Sequence, residues 1–347
     1  MSAFALFRLP YEQHYTLVEQ ISGDPLELVS CTELSGRTGF VVAPFDSDKQ
    51  SLLLIRPDRV VIDVLPENQG DRLHGYGFQP NQKSVPLIPT ADSRQDYHID
   101  FANFHAHLMN DDFTKLVLSR SLWVDCQNDI SPIELFLQAC ERYPRVFVSL
   151  VYTSQSGTWL TATPEILLAG SGEKWQTVAL AGTMPYEDDV RWSDKNIQEQ
   201  RYVATYITEQ LERFTSDFKE EGPKTIRAGH LAHLRSDFHF RLEEKRIGEL
   251  LQVLHPTPAV CGLPKQEAFR FILQNEHHDR RYYSGFMGPL MVENKTSLFV
   301  TLRCMEIFSN GYRLYAGGGI LKDSTEEQEW QETEIKMDTM RNIINHV

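Results

Sequence analysis

No apolar run in the sequence reaches the roughly 18 to 20 residues needed to cross a bilayer, and Arg8 and Pro10 interrupt the start before a signal-peptide core can form. A cytoplasmic protein without a membrane role is expected. Cysteine is scarce. Cys31, Cys126, Cys140, Cys261 and Cys304 are an odd number, widely spaced and without a Cys-x-x-Cys pair, which excludes a disulfide scaffold and a thiolate zinc site. Positive charge is short as well: Lys+Arg 34 against Asp+Glu 48 leaves a formal net charge of −14, which repels phosphate backbones and anionic headgroups. Nucleic acid is therefore not expected as a partner. Internal repeats, low-complexity tracts and Pro/Ser-rich linkers are missing too, so nothing forces a cut between domains.

The 347 residues, 41% of them hydrophobic, are enough to bury a sizeable core. Residues 1–95 read as a strand-rich region, with the runs Gly39–Pro44 and Ser51–Ile55 set among loop-rich stretches such as Pro66–Asp71 and Gln79–Pro89. From 96 to 347, strand-like runs (Leu116–Val124, Val146–Tyr152, Thr158–Ala162, Ile166–Leu168, Ser297–Phe308, Tyr312–Ala316) are interleaved with helices without regular alternation. The pattern predicts an α+β fold of large antiparallel sheets flanked by helices, with 1–95 as the N-terminal part of the same fold as a catalytic core over 96–347.

Two predicted helices carry carboxylates in unusual places. One starts at Ser193 as N-cap and runs to Phe214, with Val203, Tyr206, Ile207, Leu211 and Phe214 as its apolar stripe. Glu199 lies on that stripe, four residues before Val203. The other runs from Ser324, with Glu327 three residues on as a capping-box pattern, and carries Trp330, Met337, Met340, Ile343 and Ile344. Glu329, Glu332 and Lys336 share one of its faces. The same acidic run also fits a solvated helix start favoured by the macrodipole.

Several shorter features admit two readings each. Lys115 opens an apolar strand, as an edge-strand lysine or as an amine whose pKa burial lowers from near ~10.4. Glu165, behind Thr163-Pro164, is a turn carboxylate or an acid held at a strand mouth. The glycines of Ala181-Gly182-Thr183 and Ala316–Ile320 follow strands, as turns or as backbone that an anion can approach. Neither is a Gly-x-Gly-x-x-Gly entering a helix, so a dinucleotide site is not indicated. Leu254–Lys265 is a loop stiffened by prolines before a helix starting near Pro264. Arg303, inside an apolar strand, needs an anion, either an Asp/Glu or a substrate carboxylate. His105, His107 and Asp111-Asp112, and likewise His277-His278-Asp279, lack a third partner at zinc spacing and read as polar surface. Arg280-Arg281 beside Tyr282-Tyr283 reads as a small basic-aromatic patch.

In chain order stand Lys-x-Val-Leu-x-Arg at Lys115–Arg120, Thr-Pro-Glu at Thr163–Glu165, Ala-Gly-Thr at Ala181–Thr183, Lys-x-x-x-Glu at Lys195–Glu199, His233-Leu234, His255-Pro256, Tyr283-Ser284-Gly285, Leu302-Arg303, Ala316–Ile320, and Glu329-Trp330-Gln331-Glu332-Thr333 with Lys336. This succession, over about residues 97–347, resembles the chorismate-utilising enzymes: isochorismate synthases, salicylate synthases, anthranilate synthase large components and aminodeoxychorismate synthases.

The resemblance implies a chorismate-binding enzyme fold, chorismate as the small-molecule substrate, and Mg²⁺ as cofactor. Glu199 and Glu332 would be its ligands, with Glu329 supporting the ion or binding it through water. Lys115 would be the base that activates water for attack at ring C2, and Glu165 the acid that protonates the departing C4 hydroxyl, each pKa moved toward neutrality. His233 would orient the leaving hydroxyl or the water on the metal side. Tyr283, Arg303 and the backbone near Gly317 and Gly319 would hold the enolpyruvyl carboxylate, with Gly182, Thr183 and Lys336 on the ring-carboxylate side. Ala259 stands where ammonia users and salicylate synthases tend to carry Thr, and so resembles the isochorismate synthases. Isochorismate for menaquinone biosynthesis is the expected product, by a monomer or homodimer without a glutaminase subunit. Siderophore supply, salicylate synthesis and a catalytically silent chorismate-binding homologue are the alternatives. Gln200 departs from the family, which often has His after the metal glutamate, and is expected to affect only the tuning of the Mg²⁺ site.

Overall fold

Strands such as Ala3–Arg8 and Gly39–Ala43 are buried at every position, which requires a sheet covered on both faces. Alternation along Ala3–Arg8 shows what covers it: Ala3, Ala5 and Phe7 point into a core shared by two sheets, whereas Phe4 and Leu6 point into a core shared with helices. The computed structural model describes residues 2–65, 94–126, 131–186, 190–228 and 231–345. The predicted loop stretches Pro66–Asp71 and Gln79–Pro89 lie outside these.

Two nine-stranded antiparallel sheets pack face to face. The first has the order Gly262–Leu263, Lys115–Asp125, Gly311–Ile320, Cys304–Phe308, Gly157–Thr163, Phe147–Thr153, Ala3–Arg8, His14–Gln20 and Arg59–Val64. The second runs Phe218–Ala228, Leu231–Arg241, Lys174–Pro185, Ile166–Ser171, Thr296–Val300, Phe286–Leu290, Gly39–Ala43, Leu52–Ile55 and Leu26–Leu28. Phe147 of the first sheet stacks on Phe299 of the second, with ring centroids 4.3 Å apart. The helices Pro132–Arg142 and Glu326–Ile344 cover the outer face of the first sheet, and Asp194–Glu212 and Ile247–Leu254 that of the second. This is the α+β architecture expected. Residues before 95 enter both sheets, through Ala3–Arg8 against Phe147–Thr153 and Gly39–Ala43 against Phe286–Leu290, and the helix Arg94–Met109 runs across the 95/96 position.

Four local expectations are corrected. The apolar run Ser297–Phe308 is two strands in different sheets, Thr296–Val300 and Cys304–Phe308, and the chain crosses between them at Thr301-Leu302-Arg303. Burial on both sides makes such a run look continuous. The glycines Gly317–Gly319 are not a turn but the interior of the strand Gly311–Ile320. Lys115 is not an edge lysine, because Gly262–Leu263 pairs outside it and leaves it 0% exposed. The last helix begins at Glu326 with Thr325 as its N-cap and no side-chain cap, while Ser324 Oγ instead accepts the Leu321 N–H.

Candidate active site

Gly157–Thr163 and Ile166–Ser171 also belong to different sheets, and the chain passes between them at Pro164-Glu165. The two crossings are bonded to each other: Val300 N–H donates to the Glu165 carbonyl at 2.9 Å and Ala162 N–H to the Arg303 carbonyl at 3.0 Å. Glu165 and Arg303 therefore both leave the sheets at one place. They open into a cavity of about 620 Å³ including its mouth.

Arg303 has φ 47°, a left-handed conformation that a bulky residue keeps only where its surroundings impose it. Its Nη2 donates to His233 Nε2 at 3.1 Å, which leaves the ring proton on Nδ1, 3.3 Å from the Gly182 carbonyl. Burial and the charges of Arg303 and Lys336 hold His233 well below its usual pKa, so the imidazole is neutral. Among the described residues Arg303 makes no ion pair with Asp or Glu, although it is only 8% exposed. A buried guanidinium without a carboxylate suits an anionic ligand. Tyr283 stacks on Tyr315 at the same end, with centroids 5.7 Å apart.

Glu165 is 2% exposed. Burial raises its pKa to about 8, against the pull of Lys115, Lys336 and Arg303, so it carries a proton at neutral pH.

One wall of the cavity is bare peptide. A Cβ at Gly317 would lie 2.8 Å from Tyr283 Oη, one at Gly318 would lie 2.9 Å from Glu329 Oε2, and one at Gly319 would lie 2.0 Å from Glu199 Oε1. A side chain at Gly317 or Gly319, the two of these that line the cavity, would have to displace Tyr283 or Glu199. Gly182 serves a second purpose: its φ of 69° makes the bulge between Ala181 and Thr183 in the strand Lys174–Pro185.

The helices Asp194–Glu212 and Glu326–Ile344 bring Glu199, Glu329 and Glu332 together, each turned onto a lysine. Glu199 Oε1 is 2.9 Å from Lys115 Nζ, Glu332 Oε1 is 2.6 Å from Lys336 Nζ, and Glu329 pairs with Lys195. Burial works against the Lys195 ammonium, but Glu329, Glu199 and Glu332 together outweigh it and hold Lys195 above its usual pKa. Burial and the neighbouring Glu332 push Glu329 up. For Glu199 burial is outweighed by Lys115 and Lys195, which hold it below the usual carboxylate range. In this arrangement no three His, Cys, Asp or Glu side chains are closed into a metal cluster among the described residues. The donor chemistry nevertheless fits a hard cation: the charges of three carboxylates converge on Lys195, and Glu329 Oε2 is buried without a hydrogen-bond partner.

Of the residues singled out in the sequence, Glu165, His233, Gly182, Thr183, Ala259, Tyr283, Arg303, Gly317, Gly319, Lys336, Glu199 and Glu332 line this cavity. Lys115 and Glu329 do not. Lys115 lies behind Glu199 and Gly319, and Glu329 lies against Lys195 and Gly318. Gln200 does not face the carboxylates. Its Oε1 accepts the Ala181 N–H at 2.8 Å and its Nε2 donates to the Ala179 carbonyl at 3.1 Å, so it pins the bulge at Gly182. Lys195, which its motif contained without a role, joins this group of carboxylates through Glu329, and its i, i+4 spacing to Glu199 was the available signal. Of His277-His278-Asp279, His277 and Asp279 are exposed as expected, while His278 turns inward to Ser119, 2.9 Å from its Oγ; the basic-aromatic patch is not formed by Arg280, which is 3% exposed.

Residues 71–345 match the family described as chorismate binding enzyme. The chain belongs to this family. Among its relatives, isochorismate synthase DhbC of Bacillus subtilis is 29% identical over 345 residues, covering 93% of this chain and 85% of that protein. Isochorismate synthase EntC of Escherichia coli is 30% identical over 241 residues, covering 66% of this chain and 62% of that protein. The solved structure of MenF, the menaquinone-specific isochorismate synthase from Escherichia coli, superposes with a TM-score of 0.78 at 20% identity, covering 99% and 89% of the two chains. This last likeness shows that the two chains share a fold, in which the described residues before 95 take part.

Proposed function

We propose that the protein is an isochorismate synthase, converting chorismate to isochorismate with Mg²⁺. The observation that carries this reading is the placement of Glu165: a carboxyl group 2% exposed, its pKa raised by burial, in a cavity whose other charged groups are the cations Arg303 and Lys336 and carboxylates paired with lysines. A dianionic substrate brings the charge that Arg303 lacks, and a protonated carboxyl is what a departing hydroxyl needs.

The roles follow. Arg303, with its side chain fixed by neutral His233, and Tyr283 hold one substrate carboxylate against the bare peptide of Gly317 and Gly319. Gly182, Thr183 and Lys336 flank the other end, and Ala259 closes the wall. Lys115 takes the proton from a water whose oxygen bonds to C2. The ring double bonds shift, the C4–O bond breaks, and Glu165 gives its proton to the departing hydroxyl, which leaves as water. One water enters and one leaves, so the product is an isomer. Glu199 and Glu332, with Glu329 in support, would hold Mg²⁺, which would supply positive charge to the ring carboxylate. Base action further requires Glu199 to let go of the Lys115 amine.

The test is incubation of the purified chain with chorismate and Mg²⁺, with and without ammonium, and chromatographic identification of the product. Isochorismate supports the assignment; fluorescent salicylate, an aminated product or no turnover overturns it. Menaquinone biosynthesis is proposed as the destination, and deletion of the gene should then remove menaquinone; loss of a catechol siderophore instead would reassign the pathway.

A further inference from the structure

Beneath the anion end of the cavity lies a buried polar cluster that none of the roles above uses. Arg280 is 3% exposed. Its Nη1 donates to the Val260 carbonyl at 2.7 Å and its Nη2 to the Val117 carbonyl at 2.7 Å, while Nε and Nη2 hold both oxygens of Glu276 at 2.7 and 2.6 Å. Glu276 Oε1 in turn accepts the Ser119 N–H at 2.7 Å and the Ser119 hydroxyl at 2.9 Å. The Arg280 carbonyl accepts the Tyr283 N–H at 2.8 Å.

Apart from the Arg280–Glu276 pair itself, each bond ends on a segment that forms the cavity wall. Val117 and Ser119 lie on the strand that pairs with the glycine strand, in register with Gly319 and Gly317. Val260 follows Ala259, and both line the cavity, as does Tyr283. The 260 stretch and the 117 strand are already joined, by Gly262 opposite Leu116 and by the Val117 N–H to the Cys261 carbonyl at 2.8 Å; the guanidinium ties both of them to the 280–283 turn, which that ladder does not reach. Burying a charged pair for stability alone is a poor bargain, since apolar residues of like volume serve as well. A fork that meets two carbonyls and a carboxylate at once fixes geometry.

We propose that Arg280, with Glu276, is a positioning residue that sets the distance between the Ala259-Val260 wall and the Tyr283–Gly317 wall, and so the affinity of the substrate's carboxylate end. This rests on the chorismate reading for its kinetic consequence only. Lysine cannot reach both carbonyls and the carboxylate from one ammonium, so Arg280→Lys should raise KM about tenfold or more with kcat within about threefold. Hydrogen exchange measured by mass spectrometry should quicken in 255–264 and 280–284 in the same variant, whatever the substrate. Leu17→Ala, a truncation in the first sheet far along the strand order, provides matched destabilisation and should leave KM unchanged.

A rise in KM in Arg280→Lys, with faster exchange confined to those two segments, supports the proposal. Unchanged exchange there overturns it, as does an equal rise in KM in Leu17→Ala. Should Arg280→Lys fail to fold, Glu276→Gln keeps the volume and loses the charge, and the same two readouts decide. If the wild-type chain does not turn over chorismate, the functional reading fails, and the exchange measurement alone still judges the positioning role.

Discussion

Glu199 Oε1 stands 2.9 Å from Lys115 Nζ and lies between that amine and the cavity. The proposed base and a proposed metal ligand are thus in contact, and each constrains the other. Removing the amine in Lys115→Ala should lower kcat by about 10²- to 10⁴-fold. The fold should persist, because Lys195 still faces Glu199. Circular dichroism together with steady-state kinetics checks both statements.

Glu165 predicts the alkaline limb of the pH profile. An acid with its pKa raised to about 8 is competent below that value, so kcat should fall as pH rises through about 8. Stability has the same sign. The folded pKa lies above the ordinary 4.5, so the folded state binds more protons between them. This group's contribution is full below about 4.5 and is lost as pH rises to about 8. Glu165→Gln should remove that loss and most of the activity. Urea unfolding of both proteins at pH 5 and pH 8.5 measures the difference.

Magnesium alone should raise the unfolding temperature of the chain. At about 100 times its dissociation constant a ligand of the folded state contributes about 2.7 kcal/mol. Glu332→Ala should abolish the shift, and Glu329→Gln should weaken it. A normal magnesium titration in Glu332→Ala would move the ion elsewhere.

Gly319→Ala should inactivate without unfolding. Its Cβ would fall 2.0 Å from Glu199 Oε1 and 2.9 Å from Lys115 Cε, displacing both side chains. The backbone of Gly319 is ordinary strand, so the substitution adds no conformational penalty of its own. Magnesium binding followed by calorimetry, beside turnover, separates displacement of Glu199 from loss of fold.

Gln200→Ala should cost about 1 to 3 kcal/mol of stability, because the Ala181 N–H and Ala179 carbonyl lose a buried partner. The magnesium midpoint should hardly move, since Gln200 faces the sheet. Urea unfolding and a metal titration check the two halves.

Strand alternation and the motif order made the antiparallel α+β fold and twelve of the twenty cavity-lining residues legible in the sequence. What stayed hidden depends on where strands change sheets. Nothing in Ser297–Phe308 distinguishes one long buried strand from two that cross at Arg303, because both bury every other residue on either side. The glycines Gly317–Gly319 looked like a turn because glycine weakens a strand; here the neighbours Tyr283, Glu329 and Glu199 occupy the space a Cβ would need. Arg280 read as part of a basic-aromatic patch because its carbonyl partners, Val117 and Val260, are remote in sequence. The pairing of three carboxylates with three lysines was half visible: Glu332 and Lys336 are i, i+4 on one helix, whereas Lys115–Glu199 and Lys195–Glu329 join elements that only the fold brings together.

The helix Glu326–Ile344 is the last described element of the chain, yet it supplies Glu332 and Lys336 to a cavity whose other walls come from residue 117 onward. A chain lacking that helix would hold Glu165 and Arg303 but an incomplete pocket. The cavity is therefore closed only once the segment carrying Glu332 and Lys336 has folded back onto the strands that precede it.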